Sequence, residues 1–442
     1  MLAIGGAIGT GLFLGSALAV SLAGPLVLVA YLLGSIIALI LVYAATEMAA
    51  AHPEANGFGA LAHRYLGSGA GYVMRWMYWA VTAVTMGAEA VAVGIYIQYW
   101  WPSVPLWVPV AVAAAGVIVI NLLSVKTFGT LEYWLSMIKV SAIVAFLLIG
   151  FTYVFFGLPD RPATGMSSLT DAPSLLPQGI AGLSIAIVLV MFSFGGIEAV
   201  TMTAPESANP RRDLPRAARW TIFRLALFYL LSMVVVLSIS SALGKTPDGK
   251  LDASPFVQLF AVIGLPAAAA VMNFVVLTAA LSSLNTILYV AVRTIYSLGT
   301  DKQAPSVVTR LSKRGIPVNA VLISAVGLVL AATITIVSPD TAFLQMLGIA
   351  SFGGLTTWAI ILLTHVAFRR GKTAQELREL PIRLPGAPWT SGLAALALAA
   401  MVTGMFFIPM FESAWIVGAP FVALVTISYF ILLRRRPNTF SS

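Results

Sequence analysis

Long apolar runs broken by short polar stretches are the dominant pattern of this chain. Runs of roughly 20 apolar residues are long enough to cross a bilayer as helices. They fall near 2–21, 25–48, 72–99, 106–125, 133–156, 179–203, 220–243, 267–293, 317–337, 341–367, 389–408 and 414–433. The pattern predicts an all-α integral membrane protein of twelve transmembrane helices, forming one transport domain over residues 1–442. No linker divides the chain. Its longest polar stretches are 49–71, 157–178, 204–219, 244–266, 296–316 and 368–388. Pro205, Pro210 and Pro215 predict a rigid connector after the sixth run rather than a long helix. Thr373–Arg383 could form a short interfacial helix.

Two of the runs are interrupted by glycine. The first reads Gly5-Gly6-Ala7-Ile8-Gly9-Thr10-Gly11 and the sixth Ser193-Phe194-Gly195-Gly196-Ile197-Glu198. Breaking a helix inside lipid frees N–H and C=O groups that water cannot reach, each costing several kcal/mol unless something polar meets them. Helices 1 and 6 are therefore expected to be discontinuous, with a small polar solute bound between them. Five helices separate the two starting points, and an odd number reverses orientation in the membrane. Residues 1–156 and 179–367 thus read as inverted five-helix repeats, with 389–433 supplying two extra helices. Two parallel six-helix halves are the competing layout, but the loop after the sixth run is no longer than its neighbours.

Composition agrees with a membrane protein: 60% of residues are hydrophobic, 9% are charged and the mean hydropathy is +0.96. There is no cysteine, so no disulfide framework or thiolate metal site is available. His52, His63 and His365 stand far apart near span ends, a pattern of interfacial or loop packing, and no metal or other cofactor is expected. With the N-terminus cytoplasmic, outer loops hold only Arg161, Lys245 and Lys250. The other 22 of the 25 basic residues fall on the inner side, including Arg211, Arg212, Arg216, Arg219, Lys313, Arg314, Arg369, Arg370 and Arg434 to Arg436. That asymmetry places both termini in the cytoplasm. It also assigns the net charge of +9 to anionic lipid headgroups rather than to nucleic acid. The first run lacks the basic start of a cleavable signal and belongs to the fold.

Charge inside lipid costs about 2.5–3.5 kcal/mol per residue at mid-span, so each instance needs a reason. Glu89 lies halfway along the third run. It reads either as a protonated carboxyl bonded to a neighbouring helix or as a pocket or proton-relay carboxylate. Glu198, directly after the second break, could bind a substrate amine, gate the pathway, move protons or cap freed amides. Lys139, two turns into the fifth run, reads as a snorkelling lysine helped by Glu132, or as an ammonium buried among helices one, five and eight that loads and unloads protons. The eighth run carries Ser282-Ser283-Leu284-Asn285-Thr286, polar groups that often bond between helices. Thr10 differs because its neighbours are glycines: exposed amides beside a hydroxyl at a helix start make a cradle for a carboxylate.

Together these segments resemble the amino acid permeases of the amino acid–polyamine–organocation superfamily, and within it the bacterial amino acid transporter family. The resemblance rests on Gly5–Gly15, Ala23-Gly24-Pro25, Met137-Ile138-Lys139-Val140, Phe192–Glu198, Pro205-Glu206-Ser207-Ala208-Asn209-Pro210 and Arg314-Gly315-Ile316-Pro317-Val318-Asn319, in order along nearly the whole chain. It implies the leucine-transporter fold and proton-coupled amino acid uptake across the cytoplasmic membrane. By analogy Gly9, Thr10 and Gly11 hold the substrate carboxylate, and the amine meets carbonyls near Ala7, Ile8, Phe192 and Gly195. Phe192 or Phe194 serves as an aromatic gate, and Glu198 matches the family's helix-six glutamate. Lys139 matches a lysine that stands where sodium-coupled relatives hold sodium, with Ser282 and Ser283 where that ion's other ligands lie. The resemblance thus turns Lys139 from a snorkelling residue into a proton-coupling one. Relatives carry a basic tail and a full half-helix before the glycines, whereas only four residues precede Gly5: either the start is placed too late or the first half-helix is truncated, and a truncated one would weaken the inner gate.

The expected function is import of a neutral amino acid of proline, γ-aminobutyrate, small or aromatic type by proton symport with alternating access. An exchanger on the same fold is the alternative; a nutrient sensor that does not transport is further off, since such proteins carry long cytoplasmic extensions. An enzyme is not expected: no Ser-His-Asp set, metal spacing or paired catalytic carboxylates can be identified.

Overall fold

A computed structural model describes residues 9–55, 57–123, 126–157, 162–166, 177–198, 210–239 and 254–432. Expectations placed on Ala7, Ile8, Arg161, residues 199–209, Lys245, Lys250 and Arg434 to Arg436 lie outside these residues, as does the side chain of Glu132. Among the described residues every regular element is helical.

The chain enters as a π-helical turn, Gly11–Gly15, and continues into α1 (Ser16–Ala23). Gly24 turns the corner with φ 55° and ψ −140°, a conformation that only glycine adopts cheaply. Pro25 then starts the turn that leads into α2 (Val27–Ala51). A short α3 (Phe58–Leu66) precedes the central helix α4 (Ser68–Gln98), followed by α5 (Trp107–Leu123) and α6 (Lys126–Phe156). Next come α7 (Gly179–Ser193), α8 (Pro210–Ile239), α9 (Pro255–Val262) and α10 (Pro266–Thr300). The chain closes with α11 (Val318–Ser324), α12 (Val326–Val337), α13 (Ala342–Arg370), α14 (Ala374–Arg378), α15 (Trp389–Met405) and α16 (Glu412–Leu432).

Eight helical stretches among the described residues are long and apolar enough to cross a membrane, and three shorter apolar helices accompany them. Several details depart from the sequence reading. Pro210 does not extend a connector; it opens α8 ten residues before the expected start at 220, because a first-turn proline gives up no helical hydrogen bond. The stretch 244–266, read as a polar loop, contains the apolar α9. Ser254 caps it by accepting from the Phe256 amide, and Phe256 is buried against Phe13 and Phe146 at centroid distances of 5.0 and 4.2 Å. The ninth run is interrupted at Ala325, between α11 and α12.

The helix α4 runs through the middle, packed against α10, α12 and α13. Its contact with α12 is backbone on backbone: a Cβ on Gly327 would overlap the Ala83 carbonyl. Small residues allow this approach, and packing of that kind holds helices together where lipid is as apolar as the side chains. Polar locks sit at the helix ends. Arg75 of α4 donates to Gln303 (3.2 Å) and Ser297 (2.6 Å) and pairs with Asp301 (2.5 Å), joining α4 to the end of α10. Glu47 of α2 is fully buried and receives Arg369 Nη2 (2.7 Å) from α13 and the Leu384 amide (2.8 Å), with His365 Nε2 at 3.4 Å. His365 in turn bonds Ser391 of α15 at 2.8 Å. One carboxylate thereby ties α2, α13 and the segment before α15.

Candidate substrate site

The two glycine-rich segments meet closely. A Cβ on Gly11 would lie 2.7 Å from Ser193 Cα and 3.0 Å from its nitrogen, so the first helix meets the end of α7 with no room for a side chain. A Cβ on Gly9 would lie 2.5 Å from Glu89 Oε1 and 3.1 Å from Ser283 Oγ. α7 stops at Ser193, and Phe194–Glu198 continues as turn, with Phe194, Ile197 and Glu198 buried and Gly195 exposed. The freed carbonyls there find partners: Met191 accepts from the Phe194 amide (3.1 Å), Phe192 from Gly195 (3.0 Å), and Ser193 from the Tyr229 hydroxyl (2.8 Å).

Between these ends lies a cavity of about 120 Å³. Its walls come from Gly9 and Gly11, from α4 (Tyr78, Thr82, Glu89), from α7 and its turn (Phe192, Gly195, Glu198), from α10 (Ser283, Thr286) and from α13 (Ser351, Trp358). The volume approaches the ~150 Å³ of an engineered cavity that holds benzene. Five buried polar atoms around it lack a well-formed hydrogen bond: Thr10 Oγ1, Glu89 Oε2, Ser283 Oγ, Thr286 Oγ1 and Ser351 Oγ, with Thr10 and Ser283 both close enough to act on the Glu89 carboxylate. Buried polar groups are nearly always satisfied, and leaving one unmade costs about 1–3 kcal/mol. Five beside one cavity mark a place built for a polar guest.

The two carboxylates stand at opposite ends. Glu89 accepts from the Thr10 amide at 3.3 Å, inside the cradle that the sequence assigned to a substrate carboxylate. Glu198 accepts from Trp358 Nε1 at 3.2 Å and faces Tyr78, eleven residues before Glu89 on α4, which is about 16 Å of helix. Among the described lining residues there is no lysine, arginine or histidine.

The structure thus brings Gly9, Gly11, Glu89, Phe192, Gly195, Glu198 and Ser283 to one cavity, with Thr10 buried directly behind it. Phe194 is placed elsewhere. It points away from the cavity into an aromatic cluster with Tyr31 (6.4 Å) and Tyr229 (5.0 Å), which leaves Phe192 as the phenylalanine at the cavity. Lys139 is fully buried in α6, outside the lining but near enough for its charge to act on Glu89; Ser282 is buried and also outside the lining. The polar run on α10 divides its labour. Asn285 accepts from Asn121 of α5 at 2.8 Å as interhelical glue, while Ser283 and Thr286 face the cavity. Sequence reasoning missed Tyr78, Thr82, Ser351 and Trp358. Their spacing on α4 and α13 was visible, but a few polar or aromatic residues at helical intervals read equally well as packing.

A cavity with buried polar groups on its wall, inside a chain of apolar helices, is what a membrane transport protein requires. The amino acid permease family matches residues 1–441, and the chain belongs to that family as a multi-pass membrane protein rather than an enzyme. It is 37% identical to the uncharacterized amino acid permease YtnA of Bacillus subtilis over 97% of this chain and 92% of that one. It is 40% identical to the aromatic amino acid transport protein AroP of Escherichia coli K12, covering 85% and 81%. It is also 35% identical to the probable threonine/serine transporter YbxG of Bacillus subtilis, covering 98% and 92%.

Proposed function

We propose that the protein imports a neutral amino acid together with protons across the cytoplasmic membrane, by alternating access of a twelve-helix leucine-transporter fold with both termini inside. Inverted repeats 1–156 and 179–367, with 389–433 appended, would place the broken helices on either side of the cavity. The observation that carries the reading is the set of five buried polar atoms around the cavity that lack a well-formed hydrogen bond. The absence of a cationic side chain from the described lining argues for a neutral rather than an acidic substrate. Relatives named for aromatic amino acids and for threonine and serine point to the same charge class.

Coupling follows from the Glu89 contact. A substrate carboxylate entering the Gly9–Gly11 cradle meets Glu89 already on the Thr10 amide. Two carboxylates about 4 Å apart repel by about 4 kcal/mol at an effective dielectric of 20. A proton on Glu89 removes that repulsion, so proton and substrate arrive together. Lys139, whose charge also acts on Glu89, would pass the proton on after the site opens inward, with Ser282 and Ser283 lining its route.

Proteoliposomes with empty lumens test this. An inward proton gradient should drive accumulation of a labelled neutral amino acid, and Lys139→Ala should abolish accumulation while keeping exchange against internal substrate. A strict need for internal substrate in the wild type would instead identify an exchanger. Undiminished gradient-driven uptake by Lys139→Ala would remove that residue from coupling.

A further inference from the structure

The cavity face of α13 is built to leave space. Ala350, Ser351, Gly354, Leu355 and Trp358 line the cavity at intervals of one, three, one and three residues, which places them on one side of the helix. Two adjacent glycines on this helix have different reasons to be there. A Cβ on Gly353 would overlap a methyl of Val81, so packing against α4 demands glycine. A Cβ on Gly354 would meet only Val81 Cγ1, at 4.0 Å, an ordinary contact. Nothing in the described packing requires glycine at 354, and glycine is a poor helix residue. What its missing side chain provides is volume in the cavity.

The surroundings say what that volume takes. Val81 of α4 is the neighbour of Gly354, and Leu355 with Ile287 and Val290 of α10 add apolar lining, while Glu198, held by Trp358 one turn along α13, stands at the same end. One turn away stands Ser351, 4% exposed, with its hydroxyl unpartnered. The end of the cavity at Gly9 and Glu89 is separate, since Glu89 lies eight residues beyond Val81 on α4, about 12 Å of helix. Resting on the reading that an amino acid occupies this cavity, we propose that Gly354 and Ser351 form its side-chain subsite. The absent side chain at 354 sets the size limit, and the class admitted is a ring-sized apolar side chain carrying at most one polar group, which Ser351 receives.

Uptake of labelled phenylalanine into proteoliposomes, competed by unlabelled phenylalanine, tyrosine and alanine, tests the subsite. Gly354→Leu should weaken phenylalanine by at least about 10-fold, as pocket-filling groups do, and leave alanine within about 2-fold. Gly354→Ala, whose methyl meets only an ordinary contact, should fold and fall between, so the ranking holds even where leucine is not tolerated. Ser351→Ala should weaken tyrosine more than phenylalanine. Parallel loss of phenylalanine and alanine, or unchanged phenylalanine in both Gly354 variants, overturns the subsite. So does a wild type that takes up alanine or serine but not phenylalanine. A wild type that takes up no amino acid overturns the transport reading instead.

Discussion

Substituting Gly11 by alanine tests whether the close approach of the first helix to the end of α7 matters for function. The added Cβ would sit 2.7 Å from Ser193 Cα and 3.0 Å from its nitrogen, and neither is the movable end of a side chain. Carbon pairs settle near 3.5–4.0 Å, so the first helix and the end of α7 must separate by roughly 0.8–1.3 Å. Overpacking of this kind costs about 1–3 kcal/mol, or roughly 5- to 140-fold in any equilibrium that needs the closed contact. The separation also carries Thr10 away from Glu89 and pulls at the Ser193 carbonyl that Tyr229 holds. Gly15→Ala is the matched control four residues along, because its Cβ meets only Leu347 Cδ1, at 4.0 Å. Initial uptake per folded protein, with folding checked by thermal unfolding in detergent, should fall by at least about 5-fold for Gly11→Ala and hold steady for Gly15→Ala. Wild-type uptake by Gly11→Ala would refute the claim that this contact shapes the site. Equal losses in both variants would refute it too.

Other outcomes follow from the locks at the helix ends. Glu47→Ala leaves Arg369 and His365 facing each other without their carboxylate, and breaking such a buried pair costs about 3–5 kcal/mol. Thermal unfolding in detergent should show a large destabilisation, and an unchanged midpoint would contradict the structural role. His52, just beyond the end of α2, is held below its ordinary value of 6.5 by burial and then by Arg64, with Glu54 opposing. The unfolded chain therefore binds the proton more readily. The stability contributed by neutral His52 is present above 6.5 and is lost as pH falls through the folded value. His52→Asn should flatten the pH dependence of the unfolding midpoint below 6.5, and an identical profile would remove this histidine from the pH response.

The long apolar helices were legible because apolar length is a direct consequence of bilayer thickness. The short helices α3 and α9 were not: eight or nine residues give too little periodicity, and α9 lies in a stretch weighed as loop. The site was half legible. Gly9, Gly11, Glu89 and Glu198 stand out against apolar neighbours, so chemistry alone flagged them. Tyr78, Ser351 and Trp358 do not, since their role arises from how α4 and α13 face each other across the cavity. Gly354 shows the same limit, because sequence cannot separate a glycine that packing demands from one that only leaves room. Phe194 marks where analogy stopped. Two phenylalanines flank Ser193, and only the geometry of the turn after α7 decides which one meets the cavity.

Determining the structure with an amino acid bound tests the central claim most directly. The substrate carboxylate should lie against the Gly9–Gly11 backbone, with Glu89 withdrawn from the Thr10 amide and the side chain directed towards Gly354. An amino acid bound outside this cavity would contradict the account, as would one bound inside it with the Glu89–Thr10 contact intact and its carboxylate elsewhere.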